Sequence, residues 1–148
     1  MKLRLNFETA NPEMYQTMLK LEEFISNSGL DIKLYKLLKI RASQLNGCDF
    51  CNDMHTQAMR TMGEAEERIH LISSWRDAPY YSEVEKVVLE LTEAVTFIAN
   101  TGVPEQLYDR VRIHFDENQY MTLIMAINAI NCWNRIAIST EMYPGCFI

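Results

Sequence analysis

The chain has 148 residues, of which 48% are hydrophobic and 23% charged, as is usual for one soluble globular domain over residues 1–148. Its formal net charge of -6 argues against nucleic acid or an anionic membrane as a partner. No apolar run approaches the roughly 20 residues of a membrane span, and residues 1–6 lack the apolar core of a signal peptide, so we predict a cytoplasmic protein.

Apolar residues recur at helical spacing along the chain, and no segment alternates with the period of a strand, so we predict an all-α fold. Asn11 with Pro12, and Ser82 with Glu85, have the pattern of helix starts, whereas Gly47 indicates a helix end. The predicted helices span residues 12–26, 31–45, 48–62, 64–74, 82–100, 104–114 and 118–140.

The last predicted helix is apolar around most of its circumference. One small domain has little interior in which to bury such a helix, so we predict that part of its surface packs against another copy of the chain. The alternative is a central core helix in a monomer.

Cys48 and Cys51 form a Cys-x-x-Cys pair at the start of the third predicted helix. Side chains three residues apart on a helix are neighbours, so the two sulfurs are close enough to form a disulfide. Unpaired backbone N–H groups and the helix dipole stabilise a thiolate in the first turn. This arrangement is suited to reversible oxidation: one sulfur becomes a sulfenic acid, and the other condenses with it to a disulfide.

A Cys-x-x-Cys pair also occurs in zinc sites, although a structural zinc site needs four ligands. His55 is available here as a third ligand, and a buried structural pair of cysteines is a further alternative. We predict neither a metal nor a cofactor.

His55 lies four residues after Cys51 and seven after Cys48. On a helix the three side chains fall within about 60° of one another, so the imidazole can accept or relay a proton from Cys51. The alternative is a surface or capping histidine. Cys132 is predicted to lie in the core, and no pattern gives a function to Cys146, His70 or His114.

The run of residues 38–51, with Asp53, Met54 and His55 after it, resembles the AhpD-like alkylhydroperoxidases of the carboxymuconolactone decarboxylase superfamily. The likeness covers nearly the whole chain and includes the segments 75–76, 91–95 and 131–135. It implies an all-α fold and a homo-oligomer such as a trimer or hexamer. It also implies that Cys51 attacks the hydroperoxide, that Cys48 resolves the intermediate, and that His55 is the family histidine.

The sequence departs from the family at Lys36, where the resemblance leads us to expect a glutamate twelve residues before the first cysteine. A carboxylate can accept a proton from the histidine, whereas a protonated lysine cannot. Lys36 is therefore a modulator that stabilises a thiolate by its charge, becomes partly neutral through burial, or points to solvent. Phe50 replaces a histidine found between the cysteines in some members and indicates a drier pocket.

The resemblance implies a thiol-dependent peroxidase that reduces organic hydroperoxides with electrons from an external dithiol, a role that lipoyl groups have in some members. The second hypothesis is a dithiol oxidoreductase or redox sensor with weak peroxidase activity, because the family glutamate is Lys36. The third is a non-catalytic oligomeric scaffold. Decarboxylation is disfavoured because the cysteine motif belongs to the peroxidase branch.

Overall fold

A computed structural model describes residues 1–147 of the chain. Within these residues the secondary structure is entirely helical, as predicted, with one short 3-10 turn at Ile72–Ser74. The helices are α1 (Phe7–Ala10), α2 (Pro12–Ser26), α3 (Ile32–Asn46), α4 (Asp49–Thr61), α5 (Glu66–His70), α6 (Glu83–Thr96), α7 (Ile98–Thr101), α8 (Glu105–His114) and α9 (Glu117–Ser139).

Several helices, among them α2, α6 and α9, begin at side chains that accept hydrogen bonds from the first turn. Asn11 accepts from the backbone of Met14, with Pro12 at the first position of α2. Ser82 and Glu85 form the predicted capping box of α6. Such caps satisfy backbone N–H groups that have no partner inside the helix, and each contributes about 1 kcal/mol. The starts of α2 and α6 are therefore confirmed.

Helix α3 lies at the centre of the fold and packs against α4, α6 and α9. Two apolar clusters hold it there. Leu38 and Ala42 join Val88, Leu91 and the buried side of α9 in the larger cluster. The smaller cluster joins Leu37, Ile40, Met59, Ile69, Ile72, Trp75, Ala78, Tyr81 and Leu89. Because α3 is enclosed in this way, the segment that follows it has a fixed position.

Two predicted helices are shorter than their sequence patterns indicate. The helix predicted to reach residue 100 ends at Thr96, because Phe97 leaves the helical conformation (φ -104°, ψ 40°) before α7 begins. Its apolar stripe ends there too, since Ile98 is 56% exposed. The helix predicted over residues 64–74 divides at Leu71 into α5 and the 3-10 turn.

The long helix α9 has one face that the rest of the described chain does not cover. Met121 is 56% exposed and Ile138 45% exposed, while Met125 and Ile136 are half-buried. Cys132 lies on this side and is also half-buried, so its predicted place in the core is wrong. Burial of this face against a second copy stays a prediction.

Ile32, the first residue of α3, is 60% exposed, whereas Leu34, Leu38 and Ile40 farther along the helix are buried. No helix within residues 1–147 is both long enough and apolar enough to cross a membrane.

Candidate active site

The turn between α3 and α4 positions the cysteine pair. Gly47 ends α3 with φ 70°, a left-handed conformation that favours glycine, and the backbone N–H of Cys48 donates to the carbonyl of Ser43 at 2.9 Å. Asn46 donates to the side-chain oxygens of Asn131 and Asn134 in α9, both at 2.9 Å. This amide network joins the end of α3 to α9 immediately before the first cysteine.

Cys48 and Cys51 form a disulfide across the first turn of α4, with their Cα atoms 5.4 Å apart. Cys48 is the residue that caps α4, and its sulfur accepts the backbone N–H of Cys51 at 3.4 Å. Each cysteine is only 2% exposed. The predicted pairing of these two sulfurs is thus present, and the helix N-terminus offers N–H groups to a thiolate.

His55 lies one helical turn beyond Cys51 on the same side of α4 and is 5% exposed. Its Nδ1 atom is fully buried without a hydrogen-bond partner within the described chain. Burial, followed by the positive charges of Lys39 and Lys36, lowers the pKa of the imidazole to about 3. In the disulfide form His55 is therefore neutral at physiological pH and a weak base.

Cys51 and His55 open into one cavity of about 300 Å³, which we call the aromatic cavity. Its walls are mostly aromatic and aliphatic, and its charged lining residues are Glu8, Glu22 and Lys39. The apolar walls consist of Phe7, Tyr15, Leu19, Phe50, Met54, Trp133, Ala137, Met142 and Phe147. Phe50 packs edge-on against Phe147, as expected for the drier pocket that the sequence indicates.

Lys39 and Glu22 form a partly buried ion pair, which is absent from the predictions made from the sequence. The Lys39 Nζ atom donates to a Glu22 carboxylate oxygen at 3.2 Å, and the side chains are 7% and 23% exposed. Burial lowers the pKa of the Lys39 ammonium to about 8, although the Glu22 carboxylate opposes this shift. An amine with this pKa is an efficient proton donor near neutral pH.

Three donors from two helices hold the Glu22 carboxylate. Besides Lys39, the hydroxyl of Tyr35 donates at 2.9 Å and the indole N–H of Trp133 at 2.9 Å. Burial and then the Glu22 charge raise the pKa of Tyr35, which therefore stays a neutral donor. The Lys39 ammonium also lies 3.8 Å from the centre of the Tyr35 ring, where a cation is attracted to the π face.

The sequence indicates that both members of the Glu22–Lys39 pair occupy core positions of their helices. Glu22 stands four residues after buried Met18 and three before buried Ile25, so it interrupts the apolar stripe of α2. Lys39 stands between Leu38 and Ile40 in the most buried part of α3. A charged residue at a core position is usually paired, so the two interruptions together indicate an ion pair.

Lys36 is half-buried on α3, does not line the aromatic cavity, and makes no hydrogen bond or ion pair within the described residues. Its charge nevertheless contributes to lowering the pKa of His55. His70 and His114 are exposed, and Cys146 is half-buried in the segment after α9. No group of three or more metal-binding side chains occurs within residues 1–147.

Comparison with known proteins places these features in a family. Residues 12–94 match the model of the carboxymuconolactone decarboxylase family. The uncharacterized protein YdfG of Bacillus subtilis is 45% identical over 139 residues, which are 94% of this chain and 95% of that protein. A candidate AhpD antioxidant defence protein of unknown function from Agrobacterium tumefaciens superposes with a TM-score of 0.93 at 40% identity, over 97% of this chain and 98% of that one.

A more distant structure has the same fold with a different described activity. The debrominase Bmp8 superposes with a TM-score of 0.78 at 16% identity, over 93% of this chain and 74% of that one. At this identity the likeness shows the shared helical architecture only.

Proposed function

The chain belongs to the carboxymuconolactone decarboxylase family and has an AhpD-like fold, and from this premise we propose that it is a thiol-dependent peroxidase for organic hydroperoxides. One observation carries the proposal. Cys51, paired with Cys48 in a disulfide, opens into an apolar cavity that also contains a neutral imidazole and a buried ammonium group. A thiol, a proton acceptor and a proton donor around an apolar space are the groups that hydroperoxide reduction requires.

The reaction proceeds in two steps. The Cys51 thiolate attacks the outer oxygen of the hydroperoxide, the O–O bond breaks, and the alkoxide takes a proton to become an alcohol. Cys51 is then a sulfenic acid. The Cys48 thiolate attacks the Cys51 sulfur, hydroxide leaves and is protonated to water, and the disulfide forms. Two thiols and one hydroperoxide thus give one disulfide, one alcohol and one water.

Two side chains carry out the proton transfers: one accepts a proton and the other supplies one. The Cys51 thiol gives its proton to the neutral imidazole of His55, and the resulting thiolate favours protonation of that ring. The Lys39 ammonium, held by Glu22, stabilises the thiolate and supplies a proton to the departing alkoxide. On this mechanism the Glu22–Lys39 pair replaces the carboxylate that the family resemblance leads us to expect at Lys36.

The substrate class follows from the walls of the aromatic cavity. Nearly all of its lining atoms belong to apolar side chains, and Trp133, Tyr15 and Phe7 form a cluster of edge-on aromatic contacts. Burying an apolar group there contributes about 25 cal/mol per Å². We therefore expect a hydroperoxide with an apolar chain or ring to react faster than hydrogen peroxide.

The alternative is a dithiol oxidoreductase or redox sensor with weak peroxidase activity. Lys36 favours it, because this side chain gives His55 no carboxylate to which a proton can pass. The alternative requires rapid thiol–disulfide exchange and slow reaction with hydroperoxides. The rates of thiol–disulfide exchange and of reaction with hydroperoxides can be measured on the same protein sample, and their comparison distinguishes the two functions.

The test is stopped-flow oxidation of the reduced protein by cumene hydroperoxide and by hydrogen peroxide, followed by the fluorescence of the tryptophans. We expect rapid oxidation by the first, a Cys48–Cys51 disulfide in the product by mass spectrometry, and no oxidation of Cys51→Ser. Cys48→Ser should stop at the sulfenic acid, which dimedone traps. Oxidation by cumene hydroperoxide no faster than that of a free thiol at the same pH would exclude the peroxidase.

A further inference from the structure

Two of the nine methionines line the aromatic cavity, and the peroxidase reaction uses neither of them. Met54 lies on α4 three residues after Cys51, so the two side chains are neighbours on one side of the helix. Met142 belongs to the segment after α9 and is half-buried. Met54 is 47% exposed and is therefore the more accessible of the two methionines.

A hydroperoxide that reaches Cys51 also reaches the side chain of Met54. Both residues line the same space of about 300 Å³. Their Cβ atoms, three residues apart on a helix, are separated by about 5–6 Å. Three rotatable bonds allow the Met54 thioether to turn towards the cavity, and thioethers pack favourably against aromatic rings such as those of its walls. The cavity therefore presents a second oxidisable sulfur to the same substrate.

We propose that Met54 is a site of sulfoxide formation by the apolar hydroperoxides that enter the aromatic cavity, and that its sulfoxide weakens the binding of apolar molecules there. The choice of oxidant rests on the proposed function. The choice of the reacting sulfur rests on the cavity itself, because Met54 lines it next to Cys51 and is open to solvent.

The oxidation of Met54 needs no further oxidant or reductant. The Met54 sulfur attacks the outer oxygen of the hydroperoxide, the O–O bond breaks, and its electron pair leaves with the alkoxide. The hydroxysulfonium ion formed on Met54 then gives its proton to the alkoxide. One thioether and one hydroperoxide thus give one sulfoxide and one alcohol.

A sulfoxide at Met54 changes the chemical character of the cavity wall. It replaces an apolar thioether by a polar group that accepts hydrogen bonds. The wall around it consists of apolar side chains such as Leu19 and Phe50. An apolar molecule bound against the sulfoxide removes water from that acceptor without offering it a donor, which lowers the binding affinity. Methionine sulfoxide reductases restore the thioether, so this change is reversible.

The first experiment follows sulfoxide formation in the disulfide form with no reductant present. Cys51 has no free thiol in this form, so the result does not depend on whether the protein is a peroxidase. Cumene hydroperoxide and hydrogen peroxide are compared, and peptide mass spectrometry gives the oxidation rate of each methionine. N-acetylmethionine gives the ratio of the two rates for a free thioether. Met62, at the C-terminal end of α4 and outside the cavity, is the control within the chain.

We expect the rate with cumene hydroperoxide, relative to hydrogen peroxide, to be about tenfold or more higher at Met54 than in N-acetylmethionine, because an apolar cavity concentrates the apolar oxidant. Cumyl alcohol, which has the same apolar group but no peroxide, should suppress this excess at Met54 and leave Met62 unaffected. A relative rate at Met54 no higher than at Met62 would overturn the assignment. Faster oxidation of Met142 than of Met54 would overturn it too.

The second experiment measures what a polar group at position 54 does to binding. Met54→Gln places a hydrogen-bond acceptor there, and Met54→Leu is the matched variant that keeps the side chain apolar. Calorimetric titration with cumyl alcohol should give a Kd about threefold or more higher for Met54→Gln than for Met54→Leu. Equal affinities of the two variants would contradict the effect assigned to the sulfoxide. Failure of the peroxidase proposal would appear differently, as slow oxidation of the Cys51 thiol in protein whose Met54 still forms the sulfoxide.

Discussion

Replacing Lys39 by methionine removes the ammonium group and keeps most of the side-chain volume. Its Nζ atom donates to Glu22 at 3.2 Å, and its pKa of about 8 leaves about nine-tenths of the molecules protonated at pH 7. General acid assistance by such a group contributes about 10²–10⁴-fold. We therefore expect Lys39→Met to slow oxidation by cumene hydroperoxide by at least about 10²-fold.

The pH dependence gives this prediction a signature that a general loss of structure does not produce. The protonated form of Lys39 is the active one, so the oxidation rate should fall as the pH rises through its pKa. That pKa is about 8 in the disulfide form, and a thiolate at Cys51 raises it in the reduced protein. The wild-type rate should therefore decline above about pH 8, and Lys39→Met should lose this decline.

Two control variants separate the proton from the charge. Lys39→Arg keeps a cation in the aromatic cavity but cannot release a proton near pH 8, so it should retain thiolate stabilisation and lose the alkaline decline. Glu22→Gln removes the opposite charge and should lower the pKa at which the decline begins. Stopped-flow fluorescence gives the rates, and far-UV circular dichroism checks the fold. Wild-type rates and an unchanged pH profile in Lys39→Met would refute the assigned role.

Three further predictions address other parts of the molecule. Lys36→Glu should raise the pKa of His55 and speed oxidation, because it supplies the family carboxylate; a slower variant would instead mean that Lys36 holds Cys51 as a thiolate. The oxidised protein should lose about 3 kcal/mol of unfolding free energy from His55 between pH 6.5 and pH 4, since the unfolded chain takes up a proton there and the folded chain, with a His55 pKa of about 3, does not. Urea unfolding of His55→Gln should lack that loss; an equal loss in the variant would mean that other groups cause it. Light scattering should show a homo-oligomer, and Met121→Lys on the uncovered face of α9 should weaken it; a 17.3 kDa particle at micromolar concentration would contradict the prediction.

Much of the fold could be predicted because its helix boundaries depend on local chemistry. Asn11, Ser82 and Gly47 act through hydrogen bonds or backbone conformations within a few residues, and such signals are present in the sequence itself. The end of α6 is different. Apolar residues continue to Ile98 at helical spacing, but the helix ends at Thr96, whose hydroxyl accepts a hydrogen bond from Asn131 at 3.1 Å. A contact between residues so distant in sequence has no local signature.

The site residues also fall into those that local sequence predicts and those that only the tertiary fold brings together. Cys48, Cys51 and His55 lie within one helix, so their spacing alone predicts that they share a face. Glu22 and Lys39 belong to two helices, and their pairing depends on the tertiary fold that brings α2 and α3 together. Each could be recognised as a charged residue in an apolar stripe, but their partnership becomes visible only in three dimensions. The roles of Cys51, Cys48, His55 and Lys36 in catalysis stay predictions for the kinetic experiments above.

Phe7 and Phe147, which form part of the aromatic cavity, come from outside the central packing of α3, α6 and α9. The cysteines, His55 and Lys39 therefore lie on α3 and α4, whereas part of the cavity wall belongs to segments outside the central packing. Phe147 is 45% exposed, so substitutions there can change the size and shape of the admitted molecule with little penalty to the core, whereas Phe7 is buried and a smaller side chain there lowers stability. Such a division favours evolutionary diversification, in which a lineage acquires new substrates while its redox centre and its foldability are preserved.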